Sequence, residues 1–380
     1  MRIAVNTRFL LKGRLEGVGR FTLEVLRELV ERQTADEFIF FFDRAYDPEF
    51  VFAENITPVV LSPPARHPIL FTIWFEWSVA RALKQYRADV FFSPDNFCSL
   101  RTSVPTILVV HDLAYLHFPN QVSRIQLAYY RYFMPRFVQK ADSVVTVSEF
   151  TKQDLSNQFA TSNTKIKVAC NGVRSAFEPL SELEKAKVQA KYAQGDPYFF
   201  YVGAVHPRKN IPRLIAAFDQ FKTDTKYDVQ LLIAGRFSWK TGEVSEAYAA
   251  ATHQAAIHFL GYVSDEELPQ LVGAALALTY ISLFEGFGVP LLEAMACEVP
   301  VLTSNVSSMP EVIGDAGLLV DPTDVTAIAD AMERLAQDEP LRKRLVNKAR
   351  KQRQKFSWSV AARVLQQEIL YLNKTKKITQ

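Results

Sequence analysis

The chain has 380 residues, 48% of them hydrophobic, enough for two domains of ordinary size, each with its own core. Lys and Arg number 44 against 41 Asp and Glu, and a net charge of +3 is too small to argue for nucleic acid as a partner. Cys98, Cys170 and Cys297 are too scattered for a disulfide framework or a Cys-x-x-Cys metal site, which fits a reducing cytoplasm.

Met1-Arg2 runs straight into the strand-like Ile3-Ala4-Val5 with no signal-peptide anatomy. No apolar run approaches the ~18 residues of a spanning helix, so a soluble protein, or one resting on a membrane surface, is expected. Short apolar runs then alternate with helical patterns: Gly19 to Glu31 as helix, and Phe38 to Phe42, Asp89 to Phe92, Thr106 to Val110 and Ser143 to Val147 as strands. That alternation predicts a parallel sheet covered on both faces. Between the first strand and helix, Gly17-Val18-Gly19-Arg20-Phe21-Thr22 resembles a dinucleotide fingerprint, but Thr22 stands where the third Gly or Ala belongs. Gly17 and Gly19 are better suited to letting backbone approach a bulky polar ligand, and are read as donor-binding, with Arg20 as an anion contact.

Trp74, Phe75 and Trp77 either stack on sugars or fill a core. His111-Asp112 follows the strand Thr106 to Val110 at its carboxyl end, where open α/β sheets bind ligands. A lone histidine there is often structural; its place favours a site role, with Asp112 positioned to fix its tautomer. The segment Arg124 to Lys140, carrying Tyr129, Tyr130, Tyr132, Phe133, Arg131 and Arg136, reads as core on one face and, alternatively, as an acceptor or membrane-interface surface. Ser148 is placed to cap the helix that starts at Glu149.

The pattern breaks at Asn171-Gly172-Val173, and Ser181 to Lys191 predicts a charged surface helix. A second strand series follows: Tyr198 to Val202, Gln230 to Ala234, Ile257 to Leu260, Ala275 to Tyr280, Pro300 to Thr303 and Leu318 to Val320. Ser264-Asp265-Glu266-Glu267 reads as a capping box. The basic stretch Leu341 to Lys355 keeps helical periodicity and reads as a solvated face. Two Rossmann-like domains joined near residue 180 are expected, with a ligand in the cleft between them.

After the strand Tyr198 to Val202 comes Gly203, then Arg208 and Lys209 just before a helix that Asn210 is placed to cap. Cations are disfavoured at a helix N-terminus unless an anion is present. An Arg fork and a Lys point charge are what a leaving diphosphate needs without a metal, and the chain contains no Asp-x-Asp. Glu285 and Glu293, with seven residues between them, flank the turn Gly286-Phe287-Gly288-Val289-Pro290. Pro290 fits a first helical turn, leaving the amides of Phe287, Gly288 and Val289 for a phosphate. The carboxylates can accept hydrogen bonds only from donors such as sugar hydroxyls. Anion and polyol together suggest a nucleotide sugar.

Carried by Gly17 and Gly19, His111-Asp112, Val147-Ser148-Glu149, Asn171-Gly172-Val173, Gly203 with Arg208-Lys209-Asn210, Gly235-Arg236, Gly261-Tyr262-Val263, Glu285 to Glu293 and Pro310-Glu311, the chain resembles the retaining glycosyltransferases of family 4. The resemblance spans nearly the whole length. It implies the α/β GT-B fold: residues 1–180 as the acceptor-side domain, 181–357 as the donor domain, and a last helix, 358–380, crossing back to the first. It implies that Glu293 binds the ribose hydroxyls, Glu285 holds the sugar near its reacting carbon, Arg208 and Lys209 neutralise the departing diphosphate, and His111 contacts the donor sugar. No metal or other cofactor is expected. The loop Phe237 to Thr241 departs from the pattern. Ile3-Ala4-Val5-Asn6-Thr7-Arg8 with Gly17-Val18-Gly19-Arg20 is similar to the mannosyltransferase branch, which implies GDP-mannose over a UDP-sugar. Family habit implies a glycan or lipid-linked glycan acceptor, as in lipopolysaccharide synthesis; the scattered cysteines place the enzyme in the cytoplasm, and the alternative reading of Arg124 to Lys140 adds a peripheral contact with the inner face of its membrane. A nucleotide-sugar epimerase of the same fold, consuming donor without an acceptor, and a non-catalytic nucleotide- or glycan-binding subunit are the alternatives.

Overall fold

The computed structural model describes residues 1–380 apart from 14, 16, 66, 226, 237–241 and 380; the loop Phe237 to Thr241 singled out above lies outside the described residues. The chain divides into two compact units, Met1–Asn171 with Ser357–Gln380, and Gly172–Phe356.

Unit 1 is built on seven parallel strands, β1 (Arg2–Asn6), β2 (Glu37–Phe42), β3 (Ile56–Val60), β4 (Val90–Ser93), β5 (Thr106–Val110), β6 (Ser143–Thr146) and β7 (Ile166–Val168), in the order β3-β2-β1-β4-β5-β6-β7. The central strands are apolar along their length because both faces are buried. The edge strands β3 and β7 were not legible as strands. Pro58 in β3 is tolerated only because the strand lies at an edge. Ile-Lys-Val in β7 is too short and polar to register as an apolar run.

Ser148 caps its helix as expected, its Oγ accepting the Thr151 N–H at 3.0 Å. The last helix, Trp358–Thr379, belongs to unit 1. It lies on the helix Gly17–Arg32 through an edge-on contact between Phe21 and Trp358, and Arg32 donates to Ser359 at 2.6 Å. Trp74 and Phe75 fill the unit 1 core with Phe97, Tyr129 and Phe137. Trp77 instead stays 51% exposed under the Arg101 guanidinium. Tyr132 is likewise exposed, with the Arg136 guanidinium 3.6 Å over its ring. Among the described residues no helix is long and apolar enough to cross a membrane.

Unit 2 repeats the plan with β8 (Tyr198–Val202), β9 (Gln230–Ala234), β10 (Ile257–Gly261), β11 (Ala277–Tyr280), β12 (Val301–Ser304) and β13 (Leu318–Val320), all parallel, in the order β10-β9-β8-β11-β12-β13. Ser181 forms a reciprocal capping box with Glu184. The box read at Ser264 is only half made. Ser264 Oγ accepts the Glu267 N–H at 3.2 Å, but the Glu267 carboxylate turns away to the Tyr192 hydroxyl and Lys191. The basic helix Glu339–Gln352 pairs Arg350 with Glu298 and Lys348 with Asp315 at the surface.

In each sheet the winding reverses once. In unit 1 the reversal lies between β1 and β4, and in unit 2 between β8 and β11. The carboxyl ends at such a reversal leave a crevice that helices do not cover.

Candidate functional site

At the unit 2 reversal, β8 is followed by Gly203 and β9 by Gly235. A side chain on Gly235 would start 1.9 Å from the Gly203 carbonyl oxygen, so backbone packs directly on backbone here. The 3₁₀ turn Pro207–Lys209 follows, and Asn210 sits in the left-handed region at φ 62°. Asn210 does not cap the next helix as its position suggested. Its amide donates to the Ile281 and Pro322 carbonyls at 3.1 and 2.6 Å, and its oxygen accepts from Arg213 at 2.9 Å. The Leu283 N–H donates to the Arg208 carbonyl at 2.7 Å, and Arg208 Nη1 to the Phe284 carbonyl at 3.1 Å. These bonds stitch the turn after β8 to the loop after β11.

The stitching brings Arg208, Lys209 and Glu285 together. Arg208 Nη1 lies 3.1 Å from Glu285 Oε2, and the Lys209 ammonium bonds Oε1. Lys209 also donates to the Tyr280 hydroxyl at 2.8 Å, and that hydroxyl donates to Glu285 Oε1 at 2.8 Å. Glu285 is 7% and Lys209 9% exposed. Burial alone would raise the Glu285 pKa; Lys209 and Arg208 outweigh it and bring it down to about 2. The anion that two cations at a helix start require is therefore present within the protein as Glu285.

Past the cluster, Gly288 takes φ 99° and opens the helix Val289–Ala296 with Pro290 in its first turn. The Phe287, Gly288 and Val289 N–H groups have no hydrogen-bond partner among the described residues. The turn is held from behind by Ser307, which accepts the Glu285 N–H, and by Ser308, which donates to the Glu285 and Phe287 carbonyls. Glu293, one turn into the helix, is 8% exposed and has the Arg174 guanidinium 3.9 Å away. Arg174 also reaches Asp265 at 3.2 Å and covers the Phe177 ring. Neither Arg174 nor Tyr280 was singled out from the sequence. Arg174 directly follows Asn171-Gly172-Val173, a signal that was available; Tyr280 reads as an ordinary strand aromatic.

His111, Gly17 and Gly19 lie in unit 1. His111 Nε2 is 2.7 Å from the Pro94 carbonyl, so Nε2 carries the proton. The tautomer is thus set by Pro94 and not by Asp112, whose carboxylate accepts the Ala114 N–H at 3.1 Å. Burial pushes the imidazole pKa below its ordinary 6.5, leaving the ring neutral at pH 7. Gly17 begins the first helix. A side chain on Gly19 would start 2.6 Å from the Phe9 carbonyl oxygen, so the chain itself uses that space. Arg20 lies 3.8 Å from Glu24. Among the described residues no group of three or more His, Cys, Asp or Glu side chains gathers in a way that could hold a metal.

Two family descriptions divide the chain as its units do: residues 15–177 match Glycosyltransferase Family 4, and residues 183–352 match Glycosyl transferases group 1. Over 364 residues the chain is 31% identical to O-antigen chain mannosyltransferase B of Escherichia coli, covering 92% of this chain and 94% of that one. The chain belongs to the family 4 glycosyltransferases. This glycosyltransferase is also 26% identical over 331 residues to O-antigen chain mannosyltransferase RfbU of Salmonella typhimurium, covering 84% and 87% of the two chains. In fold it is similar to Anabaena Alr3699/HepE, solved in complex with UDP and glucose, with a TM-score of 0.75 at 17% identity over 97% and 99% of the chains. The two parallel sheets, each wound with one reversal, are those of the GT-B fold.

Proposed function

We propose that this glycosyltransferase moves a mannosyl unit from GDP-mannose to a hydroxyl of a glycan or lipid-linked glycan, without a metal and with retention of the anomeric configuration. The observation that carries this reading is the Arg208–Lys209–Glu285 cluster at the β8/β11 reversal, beside three main-chain N–H groups at a helix start. A diphosphate placed there would draw Arg208 and Lys209 from Glu285 and take the amides of Phe287, Gly288 and Val289. Glu285 would then accept from sugar hydroxyls and Glu293 from the ribose, with Gly203 lining the phosphate side. The mannosyl assignment is supported by two relatives named as mannosyltransferases, at 31% and 26% identity. GDP is the carrier we favour, on the resemblance to that branch.

In this mechanism the bond from the anomeric carbon to the phosphate oxygen breaks through an oxocarbenium-like state. The acceptor oxygen joins the same face and its proton passes to the departing phosphate. Arg208, Lys209 and the amides stabilise charge growing on the bridging oxygen, so catalysis is electrostatic and positional. Unit 1 serves the acceptor side, while Gly17 and Gly19 at its first turn are assigned to donor binding and neutral His111 to the donor-sugar contact. A cytoplasmic protein touching the inner membrane face is the setting we propose, with exposed Trp77, Tyr132, Arg101 and Arg136 in unit 1 suited to that contact.

The test is release of nucleotide from GDP-mannose, UDP-glucose and UDP-N-acetylglucosamine, with and without a polysaccharide-precursor acceptor and with a chelator throughout. Acceptor-stimulated release of GDP, insensitive to chelator, is expected. Release from UDP-sugars alone would move the donor assignment, and a rearranged free sugar without acceptor would indicate an epimerase.

A further inference from the structure

Tyr280 ends β11 and is 2% exposed. Its hydroxyl accepts from Lys209 and donates to Glu285, each at 2.8 Å, while the lysine also bonds the same carboxylate oxygen. The Lys209 ammonium lies 5.3 Å from the Tyr280 ring centre. The phenol is thus one corner of a closed triangle with the ammonium and the carboxylate. Its ring stacks at 15° on Tyr201, with centres 5.9 Å apart. Tyr201 is also fully buried, but its hydroxyl finds no hydrogen-bond partner among the described residues. Two stacked tyrosines therefore differ in one respect: one hydroxyl is wired to the two charged groups and the other to nothing.

From this geometry we propose that Tyr280 is a positioning residue that keeps the Lys209 ammonium and the Glu285 carboxylate on a common hydroxyl, so that the lysine can turn to a diphosphate without releasing the carboxylate. The inference rests on the donor site proposed above. When the lysine leaves Glu285 Oε1, that oxygen still has a neutral donor at fixed distance, and its direction is kept for a sugar hydroxyl. Without the phenol, the carboxylate is held through Oε2 by Arg208 alone at the moment Arg208 is drawn to phosphate. A buried carboxylate with a missing donor either turns or takes up a proton. Both outcomes remove it from the sugar, and the effect falls on the step in which charge moves.

The test compares Tyr280→Phe with Tyr201→Phe, two deletions of one hydroxyl from the same ring stack. In donor turnover, Tyr280→Phe is expected to lower kcat about 10- to 100-fold, the range of a lost hydrogen bond to a charged group. The donor KM should change less than about threefold, because the lost contact acts in the transition state. The acid limb of its kcat–pH profile should move to higher pH, because the phenol's hydrogen bond helps keep Glu285 ionised. Tyr201→Phe should match the wild type in all three. Equal kcat and an unmoved acid limb in Tyr280→Phe would overturn the proposal, as would an equal loss in Tyr201→Phe, which would assign the effect to the stack. Acid unfolding of the same variants is read independently of any donor: its midpoint should rise in pH for Tyr280→Phe alone, and an unchanged midpoint would refute the contact. If the wild type turned over no nucleotide sugar, the function above would fail, while the acid transition would still decide the role of Tyr280.

Discussion

The two units carry a charged pair at the same topological place, and they treat it in opposite ways. At the unit 1 reversal, Arg8 just past β1 pairs with Asp95 just past β4, with their side chains 4% and 1% exposed. The Arg8 guanidinium is walled by Phe9, Phe71 and Phe97 at 4.7 to 4.8 Å. At the unit 2 reversal, Arg208 past β8 pairs with Glu285 past β11, but its side chain is 22% exposed and a second cation shares the carboxylate. Unit 1 closes its pair with phenyl rings; unit 2 sets its pair beside uncommitted amides. Topology thus supplies the crevice in both sheets, and the neighbours decide whether it becomes structure or chemistry.

The sharpest way to break this comparison is to remove one partner from each pair. Asp95→Ala leaves Arg8 buried without its carboxylate, and a loss of about 3–5 kcal/mol is expected, because an uncompensated buried charge costs that much. Denaturant unfolding checks it; a loss of less than about 1 kcal/mol would mean that the phenyl cage holds Arg8 unaided. Lys209→Ala and Arg208→Ala each leave Glu285 with one remaining cation, so they should keep the fold at a smaller cost in stability and lose roughly 10²–10³-fold in kcat at saturating donor, the scale of a deleted transition-state charge contact. Donor affinity should fall less than turnover. Unchanged kcat in both variants would reduce the unit 2 pair to a structural one like that of unit 1.

Acidification is expected to separate the units more gently. The folded pKa of His111 in unit 1 is lowered by burial. The unfolded chain therefore takes up this proton first, and the associated stability, complete above about pH 6.5, is lost as pH falls toward the lowered value. Glu285 in unit 2 goes from an ordinary 4.5 to about 2. Its contribution is present above the ordinary value and is lost as pH falls through that window. Hydrogen exchange across pH 7 to 3 should show unit 1 loosening before unit 2, and His111→Asn should remove the earlier step.

Much of this was legible in the residues, for identifiable reasons. The central strands announce themselves as apolar runs because parallel strands are buried on both faces. The edge strands β3 and β7 escape because Pro58 interrupts the one and Ile-Lys-Val makes the other too short and polar, whereas the edge strands β10 and β13 keep readable apolar runs. Glu285, Glu293, Arg208 and Lys209 stood out because charge next to glycine at a strand end has few structural uses. Their mutual pairing did not, because it depends on Asn210 reaching Ile281 and on the Arg208 carbonyl accepting from Leu283, contacts more than seventy residues apart in sequence. Asp112 looked like the partner of His111 because it is adjacent, yet the ring's Nε2 bonds the Pro94 carbonyl and the Asp112 carboxylate accepts the Ala114 N–H. Tyr280 could not be told from a core aromatic, since only its hydroxyl's two partners distinguish it from Tyr201.

The central claim is that the unit 2 reversal, with Glu293 one helical turn past the amides, is the donor nucleotide site. Calorimetric titration of GDP, in the presence of a chelator, into the wild type and Glu293→Ala tests it most directly. The account predicts chelator-insensitive binding by the wild type and at least about tenfold weaker binding by the variant, the worth of a lost pair of hydroxyl contacts to a carboxylate. Equal affinity of the two proteins for GDP would contradict it.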